Sequence, residues 1–93
     1  MRFVEIRLTG RVQGVGCRMW ITAQARTLGL GGWVRNDDDG SVRARLEGDG
    51  EKIKALLGAL SALHDPLGVD VKKLEVVQEG DAPGEPQPFS LAF

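Results

Sequence analysis

The sequence predicts an α+β fold in which helices pack on one face of an antiparallel sheet, and two observations support this prediction. Apolar and polar residues alternate in Phe3–Leu8 and again in Ser41–Glu47, with the period of half-buried strands. Apolar residues recur instead at helical spacing in Cys17–Leu28 and in Ile53–Leu63. Strands and helices therefore alternate along a chain of 93 residues, a length that corresponds to one domain spanning residues 1–93.

The first strand and the first helix are separated by a glycine-rich segment. The strand presents an apolar face made of Val4, Ile6 and Leu8. Residues 10–16 contain three glycines, and the apolar helical stripe begins directly after them. The helix is expected to end at the glycines that follow it, which are Gly29, Gly31 and Gly32.

A hairpin is predicted after the first helix. Trp33–Arg35 and Ser41–Glu47 have the character of strands, and the Asp39-Gly40 pair between them is typical of a tight turn. These two strands are expected to pair antiparallel.

The second helix has recognisable ends in the sequence. Asp49 is a candidate N-cap, because its carboxylate can accept hydrogen bonds from the first-turn N–H groups. The apolar stripe of Ile53–Leu63 is expected to lie in the core. Asp65-Pro66 is expected to terminate the helix, since the residue before a proline disfavours helical geometry.

The last part of the chain is predicted to add two strands. Val69–Val77 is strand-like, but its apolar phase slips, and a bulge near Lys72 and Lys73 would repair the register. Glu79–Pro88 contains three prolines and two glycines and is predicted to be a loop. A short closing strand has apolar residues at Phe89, Leu91 and Phe93. The resulting order, βαββαβ with a short C-terminal strand, is that of a ferredoxin-like sandwich.

Composition and charge narrow the possible functions. With 42% hydrophobic and 27% charged residues, the chain has the composition of an ordinary globular protein. Residues 1–48 carry eight arginines and five acidic residues, a net charge of +3, whereas residues 49–93 carry four lysines and eight acidic residues, a net charge of −4. An arginine-rich genome would explain the first half, but an anion site is expected there if the chain has one.

Gly10–Arg18 is the stretch of sequence that contains the candidate anion site. Glycines between a strand and a helix allow positive φ angles that aim successive N–H groups into one concavity. The helix N-terminus adds unpaired N–H groups and a positive dipole end, and Arg18 would bring a guanidinium to the same oxygens. The competing interpretation is an ordinary turn followed by a solvated arginine.

Other phosphate-binding motifs do not fit this segment. The glycine spacing is wrong for a Walker A loop, no Lys-Ser or Lys-Thr follows, and the GxGxxG pattern is absent. A cysteine-phosphatase loop would need an arginine six positions after Cys17, where the chain has Ala23. Cys17 is therefore not predicted to be a nucleophile of that kind.

Two motifs together resemble the signatures of the acylphosphatase family. Gly10–Arg18, with the sequence Gly-Arg-Val-Gln-Gly-Val-Gly-Cys-Arg, is similar to the first signature. Gly32–Asn36, followed by Asp39–Val42, is similar to the second and places Asn36 at the end of the second strand. The resemblance extends over almost the whole chain.

The resemblance implies a function and a set of site residues. The family hydrolyses acyl phosphates to a carboxylate and inorganic phosphate, which is also an inhibitor, without metal, cofactor or covalent intermediate. By position, Arg18 would supply charge to the phosphoryl group and Asn36 would orient the attacking water, a chemistry of positioning and charge stabilisation. The phosphate-binding loop would consist of Gln13, Gly14, Val15, Gly16, Cys17 and Arg18. The family is generally monomeric, and broad acyl specificity is expected.

Cys17 departs from the family pattern, which usually has an aromatic residue at this position. The change is expected to affect packing beneath the loop rather than the chemistry. A helix N-terminus and a neighbouring arginine both lower the pKa of a thiol, so one hypothesis is a reactive Cys17. Burial beneath the loop is the rival interpretation.

Several residues also have simpler explanations. Asn36 could begin a turn, and the acidic triplet Asp37–Asp39 is more typical of a solvated turn than of a divalent-cation site. His64, the only histidine, is expected to meet the last carbonyls of the second helix and has no predicted catalytic role. The aromatic residues expected in the core are Trp20, Trp33 and Phe89.

Two other classes of function are compatible with a ferredoxin-like domain. A nucleic-acid platform is disfavoured, because aromatic residues make up 5% of the chain and the net charge is −1. A non-catalytic module that senses an anion or small ligand with the same loop is the stronger alternative. The absence of a long apolar run or a Cys/His cluster, with a single cysteine, favours a cytoplasmic protein without metal, membrane or nucleic-acid partners.

Overall fold

The computed structural model describes residues 1–92 and confirms the predicted order of elements. The strands are β1 (Arg2–Arg11), β2 (Gly31–Asn36), β3 (Val42–Gly48), β4 (Asp70–Asp81) and β5 (Ser90–Leu91). The helices are α1 (Cys17–Thr27) and α2 (Gly50–Ser61). Phe93, the last residue of the predicted closing strand, lies outside the described residues.

The strands form a five-stranded sheet in the order β4-β1-β3-β2-β5. The neighbours β4-β1, β1-β3 and β3-β2 are antiparallel. β5 runs parallel to β2, with Trp33 opposite Ser90 and Val34 opposite Leu91. The sheet is therefore mixed rather than wholly antiparallel as predicted, because the segment after β4 crosses to the other edge of the sheet before it pairs.

The helices and the inward-facing strand residues share one hydrophobic core. In β3, for example, Val42, Ala44 and Leu46 are buried, whereas the residues between them are only partly buried. Of the three aromatic residues predicted in the core, Phe89 is buried and Trp20 packs against the core, but Trp33 does not belong to it. The Arg35 guanidinium lies 5.0 Å from the centroid of the Trp33 ring. Neither helix within residues 1–92 is long and apolar enough to cross a membrane.

The predicted bulge in β4 is confirmed, and a second bulge accompanies it. Thr9 pairs with Lys73 and Gly10 with Val71, so Lys72 is the extra residue of the first bulge. The second bulge leaves out Val77. β4 also continues to Asp81, into the segment predicted to be a loop, because its backbone pairs with the beginning of β1 despite weak local strand signals.

The N-terminus of α2 is where the sequence predicts it. Asp49 is the N-cap, and its Oδ1 accepts hydrogen bonds from the backbone N–H groups of Glu51 at 2.8 Å and Lys52 at 3.4 Å. These contacts satisfy donors that the helix itself cannot pair.

The C-termini of both helices differ from the predictions. α2 ends at Ser61 rather than at Asp65-Pro66, because the backbone N–H of Val71 donates to the carbonyl of Leu63 at 2.9 Å and joins this segment to β4. Only Gly29, with φ of 70°, lies at the end of α1. Gly31 and Gly32 belong to β2 instead.

Candidate active site

The loop between β1 and α1 has the backbone that its glycines predict. Gly14 and Gly16 have φ angles of 73° and 82°, in the left-handed region that favours glycine. Gly16 is the N-cap of α1 and carries no side chain to cap the first-turn N–H groups. The positive end of the helix dipole therefore faces this loop, an arrangement suited to an anion.

A pocket of about 110 Å³ lies beside this loop and brings Arg18 and Asn36 to one site. Arg18 belongs to the first turn of α1, and Asn36 is the last residue of β2. The lining residues are Val12, Gly14, Gly16, Cys17, Arg18, Met19, Asn36 and Leu91. The structure thus unites the two residues that the resemblance makes most important.

The side-chain oxygen of Asn36 is buried and has no hydrogen-bond partner within residues 1–92. Buried polar atoms are paired in the large majority of cases, so an unpaired acceptor in a residue that lines the pocket requires an explanation. The alternative role of Asn36 as a turn residue would use this oxygen to accept a backbone N–H. The oxygen makes no such bond and is instead suited to accept one from a water or a ligand.

Two members of the predicted phosphate-binding loop do not line the pocket. The Nε2 atom of Gln13 donates to the backbone carbonyls of Asp37 at 2.7 Å and Ser41 at 2.8 Å. Val15 is partly buried and packs against the core. The side chains of these two residues therefore hold the loop in place, and any contact they make with an anion would come from the backbone.

The acidic triplet forms a hydrogen-bonded turn between β2 and β3. Asp39 accepts from the Ser41 hydroxyl at 2.6 Å and from an Arg7 guanidinium nitrogen at 2.7 Å. These contacts, with that of the Ser41 hydroxyl the largest, lower the pKa of the Asp39 carboxyl. Asp37 pairs with Arg35, with 3.0 Å between Oδ1 and Nε. In the described part of the chain, no three metal-ligating side chains come together.

Cys17 is buried, with 1% of its surface exposed. Burial raises the pKa of its thiol from 9.0 to about 11. The hypothesis of a reactive, low-pKa cysteine is therefore wrong, and the rival interpretation of burial beneath the loop is confirmed. The pKa rises because burial removes water from the thiolate and so disfavours the charged form.

His64 does not meet the helix carbonyls as predicted. Its Nδ1 lies 3.0 Å from Oδ1 of Asp70, and the backbones of these two residues form an isolated bridge. The contact with His64 lowers the pKa of the Asp70 carboxyl, and Lys72 adds to this effect. The prediction was wrong because α2 ends before His64.

Met19 and Leu91 line the pocket but were not predicted as site residues. Met19 is 67% exposed, and its position directly after Arg18 was the only signal in the sequence. Leu91 reaches the site through the parallel pairing of β5 with β2, which local sequence does not indicate.

A glycine loop at a helix N-terminus, an arginine and an unpaired amide oxygen together define a pocket able to hold a phosphoryl group and a water. Comparisons with known proteins agree with a protein that binds a phosphoryl group in this pocket. A family model described as Acylphosphatase matches residues 4–91. An acylphosphatase of Mesorhizobium japonicum is 44% identical over 86 residues, covering 90% of this chain and 89% of the relative. One of Rhodospirillum rubrum is 38% identical over 91 residues, covering 98% and 100%.

A solved structure gives the same result for the fold. The crystal structure of an acylphosphatase from Bacillus subtilis matches this structure with a TM-score of 0.88 and 31% identity, covering 100% of each chain. The chain therefore belongs to the acylphosphatase family. It is an enzyme with an acyl phosphate as substrate and phosphate as product, and the ferredoxin-like α+β fold is confirmed.

Cys17 is expected to resist alkylation in the native protein. With a thiol pKa raised to about 11, the thiolate fraction near neutral pH is small, and labelling by iodoacetamide should be about a hundredfold slower than in denaturant. Mass spectrometry of native and urea-unfolded protein measures both rates. Cys17→Ser should still hydrolyse acyl phosphate, because the thiol is not the nucleophile. Equal labelling rates in the two states would contradict the buried position.

Proposed function

We propose that Arg18 and the Gln13–Arg18 loop bind the phosphoryl group of an acyl phosphate, and that Asn36 orients the water that attacks it. One observation carries this proposal. The side-chain oxygen of Asn36 is buried without a hydrogen-bond partner in residues 1–92, and Asn36 lines the same pocket as Arg18. A water-holding acceptor and a phosphate-binding cation in one small pocket are the two parts that this hydrolysis needs.

The phosphoryl group is bound by fixed donors and by one guanidinium. Backbone N–H groups of the loop and of the first turn of α1 supply donors that need no reorganisation during the reaction. Arg18 adds a planar fork that can contact two phosphoryl oxygens at once. Charge neutralisation is thereby assigned to Arg18 and the N–H groups, and the proposal includes no metal or cofactor.

The side-chain oxygen of Asn36 holds the water by accepting one hydrogen bond from it. The water donates one O–H to Oδ1 of Asn36, which leaves an oxygen lone pair directed at phosphorus. A new P–O bond forms while the bond between phosphorus and the acyl oxygen breaks, and the carboxylate leaves with the electron pair. The protons of the water end on phosphate and solvent. The loose transition state of phosphoryl transfer requires little help from a base, so an orienting amide is sufficient.

The acyl group is proposed to lie against Met19 and Leu91. Both line the pocket, and Met19 exposes 67% of its surface although it is a large apolar residue. The polar groups of the pocket are engaged with phosphate and water, which leaves these apolar side chains for the departing group. Burial of Met19 by an apolar acyl chain would favour benzoyl over acetyl phosphate through the hydrophobic effect.

We further propose that the enzyme is cytoplasmic and monomeric and that residues 1–93 form one domain. The family match over residues 4–91 supports a single domain, and the resemblance to a generally monomeric family is the basis for a monomer. The single cysteine is a buried free thiol, which agrees with a reducing compartment.

Arg18→Ala is expected to abolish turnover of benzoyl phosphate and inhibition by inorganic phosphate together, because both depend on the same cation. Arg18→Lys should restore little, since an ammonium cannot reproduce the planar fork. Steady-state kinetics with added phosphate measures both effects. Arg2→Ala, which removes an exposed arginine outside the pocket, is the control and should behave as wild type. Normal phosphate inhibition in Arg18→Ala would overturn the assignment.

Asn36→Ala is expected to lower kcat by roughly 10²- to 10³-fold, the scale observed when one positioned polar group is lost. Phosphate inhibition should barely change, because phosphate is bound by the loop and Arg18. Asn36→Asp should damage both, since its negative charge repels the phosphoryl group. A wild-type rate for Asn36→Ala, with a native circular dichroism spectrum, would show that Asn36 does not orient the water.

Met19→Ala is expected to lower kcat/KM for benzoyl phosphate about 5- to 10-fold and for acetyl phosphate less than about twofold, because only the larger acyl group buries the Met19 side chain. Leu67→Ala is the matched control, since Leu67 is 96% exposed and lies outside the pocket. An unchanged ratio of the two substrates in Met19→Ala would exclude this role.

A further inference from the structure

The side chain of Gln13 joins the phosphate-binding loop to the turn that follows Asn36. One nitrogen, Nε2, donates to the carbonyl of Asp37 at 2.7 Å and to the carbonyl of Ser41 at 2.8 Å. Both amide hydrogens of the side chain are therefore used, and the side chain is partly buried. Gln13 does not line the pocket.

The two acceptors are the carbonyls at the closed end of the β2–β3 hairpin. The backbone N–H of Asp37 donates to the carbonyl of Ser41 at 2.9 Å, and that of Gly40 donates to the carbonyl of Asp37 at 3.2 Å. Gln13 thus binds both sides of the turn, just after the end of β2 and just before the start of β3. Since Asp37 directly follows Asn36, the bridge fixes the backbone next to the proposed water-holding side chain.

We propose that Gln13 is a positioning residue that sets the placement of Asn36 relative to the phosphate-binding loop. The inference rests on the proposed function and deepens it, because it gives Gln13 a role through Asn36 rather than on phosphate. Turnover depends on the distance between the held water and phosphorus, and small misplacements of reacting groups are costly. Phosphate binding depends mainly on the loop and Arg18 and is much less sensitive to this bridge.

The chemistry of the bridge explains why the residue is glutamine. Two carbonyl oxygens require two N–H donors from one side chain, and an uncharged amide supplies them. A carboxylate of the same length would place negative charge against two carbonyl oxygens and drive the turn away. Methionine has a similar length and lacks the donors, so Gln13→Met removes the hydrogen bonds with little change in volume.

The test is a double-mutant cycle between Gln13→Met and Asn36→Ala, with kcat on benzoyl phosphate and the inhibition constant of inorganic phosphate as readouts. In the wild-type background, Gln13→Met should lower kcat about tenfold and change phosphate inhibition less than about twofold. In the Asn36→Ala background it should have no further effect on kcat, because the group that it positions is gone. Gln13→Glu should lower kcat more than Gln13→Met.

Arg11→Ala is the matched control. Arg11 is the last residue of β1 and lies outside both the Gln13–Arg18 loop and the pocket. Its NH1 donates to the carbonyls of Pro66 at 2.9 Å and Gly68 at 3.4 Å, so its loss frees the chain just before the loop from a turn that does not carry Asn36. Its kcat should stay within about twofold of wild type, with thermal denaturation to confirm that all variants are folded.

Two results would overturn the role of Gln13 alone. In the first, Gln13→Met lowers kcat by the same factor in the wild-type and in the Asn36→Ala background. In the second, Arg11→Ala lowers kcat as much as Gln13→Met does. Either result would indicate a general loosening of the protein rather than a misplaced Asn36. If Asn36→Ala by itself keeps the wild-type rate, the proposed function fails first and the role of Gln13 fails with it. The two failures are therefore distinguishable.

Discussion

Val42 sets the geometry of the site, because its backbone is in register with Leu8 of β1 on one side and with Asn36 of β2 on the other. β1 and β2 are both antiparallel to β3, so they run in the same direction and their C-terminal ends lie on the same side of the sheet. The loop after β1 and the side chain that ends β2 consequently emerge together. A slip of one residue in β3 would exchange the two faces of that strand, so the buried side of β3 holds the register of the site.

The strand register brings the loop after β1 close to Asn36, and polar contacts of the β2–β3 turn then fix the position of this turn against β1. Asp39 links the turn to β1 through Arg7 and closes it through Ser41. The lowered pKa of Asp39 means that this link stabilises the fold above the ordinary carboxyl pKa and is lost only as pH falls through the lowered value. The carboxylate is half-exposed, so it adds little stability, and its main effect is on geometry. The Asp39 carboxylate therefore stays ionised, and able to accept these hydrogen bonds, across the neutral range.

The sequence predicted the elements whose signals are local. The alternation in β1 and β3, the Asp49 cap and the bulge at Lys72 all follow from nearest neighbours and were confirmed. The end of β4 and the direction of β5 were missed, because each is decided by pairing with a distant strand.

In the candidate site, too, the sequence predicted local features but not those that depend on distant strand pairing. The loop glycines and the first turn of α1 are local features, and the resemblance to a family supplied Arg18 and Asn36 as candidates. The pocket that unites them depends on the sheet order, and so does the placement of Leu91. The contact of the Gln13 side chain with the hairpin joins residues that are far apart in the sequence, so no periodicity could indicate it.

Cys17 and Arg18 are neighbours at the N-terminus of α1, but Cys17 is buried whereas Arg18 is only partly buried. Successive residues of a helix are separated by about 100° around its axis. Cys17 accordingly belongs to the core and is 1% exposed, although it also borders the pocket, whereas Arg18 is only partly buried there. Burial raises the pKa of Cys17 to about 11 and keeps the thiol neutral at physiological pH. A thiolate at this position would repel a phosphoryl group bound at the same helix end. The neutral thiol of Cys17 therefore adds no negative charge at the N-terminus of α1, where the helix dipole is positive.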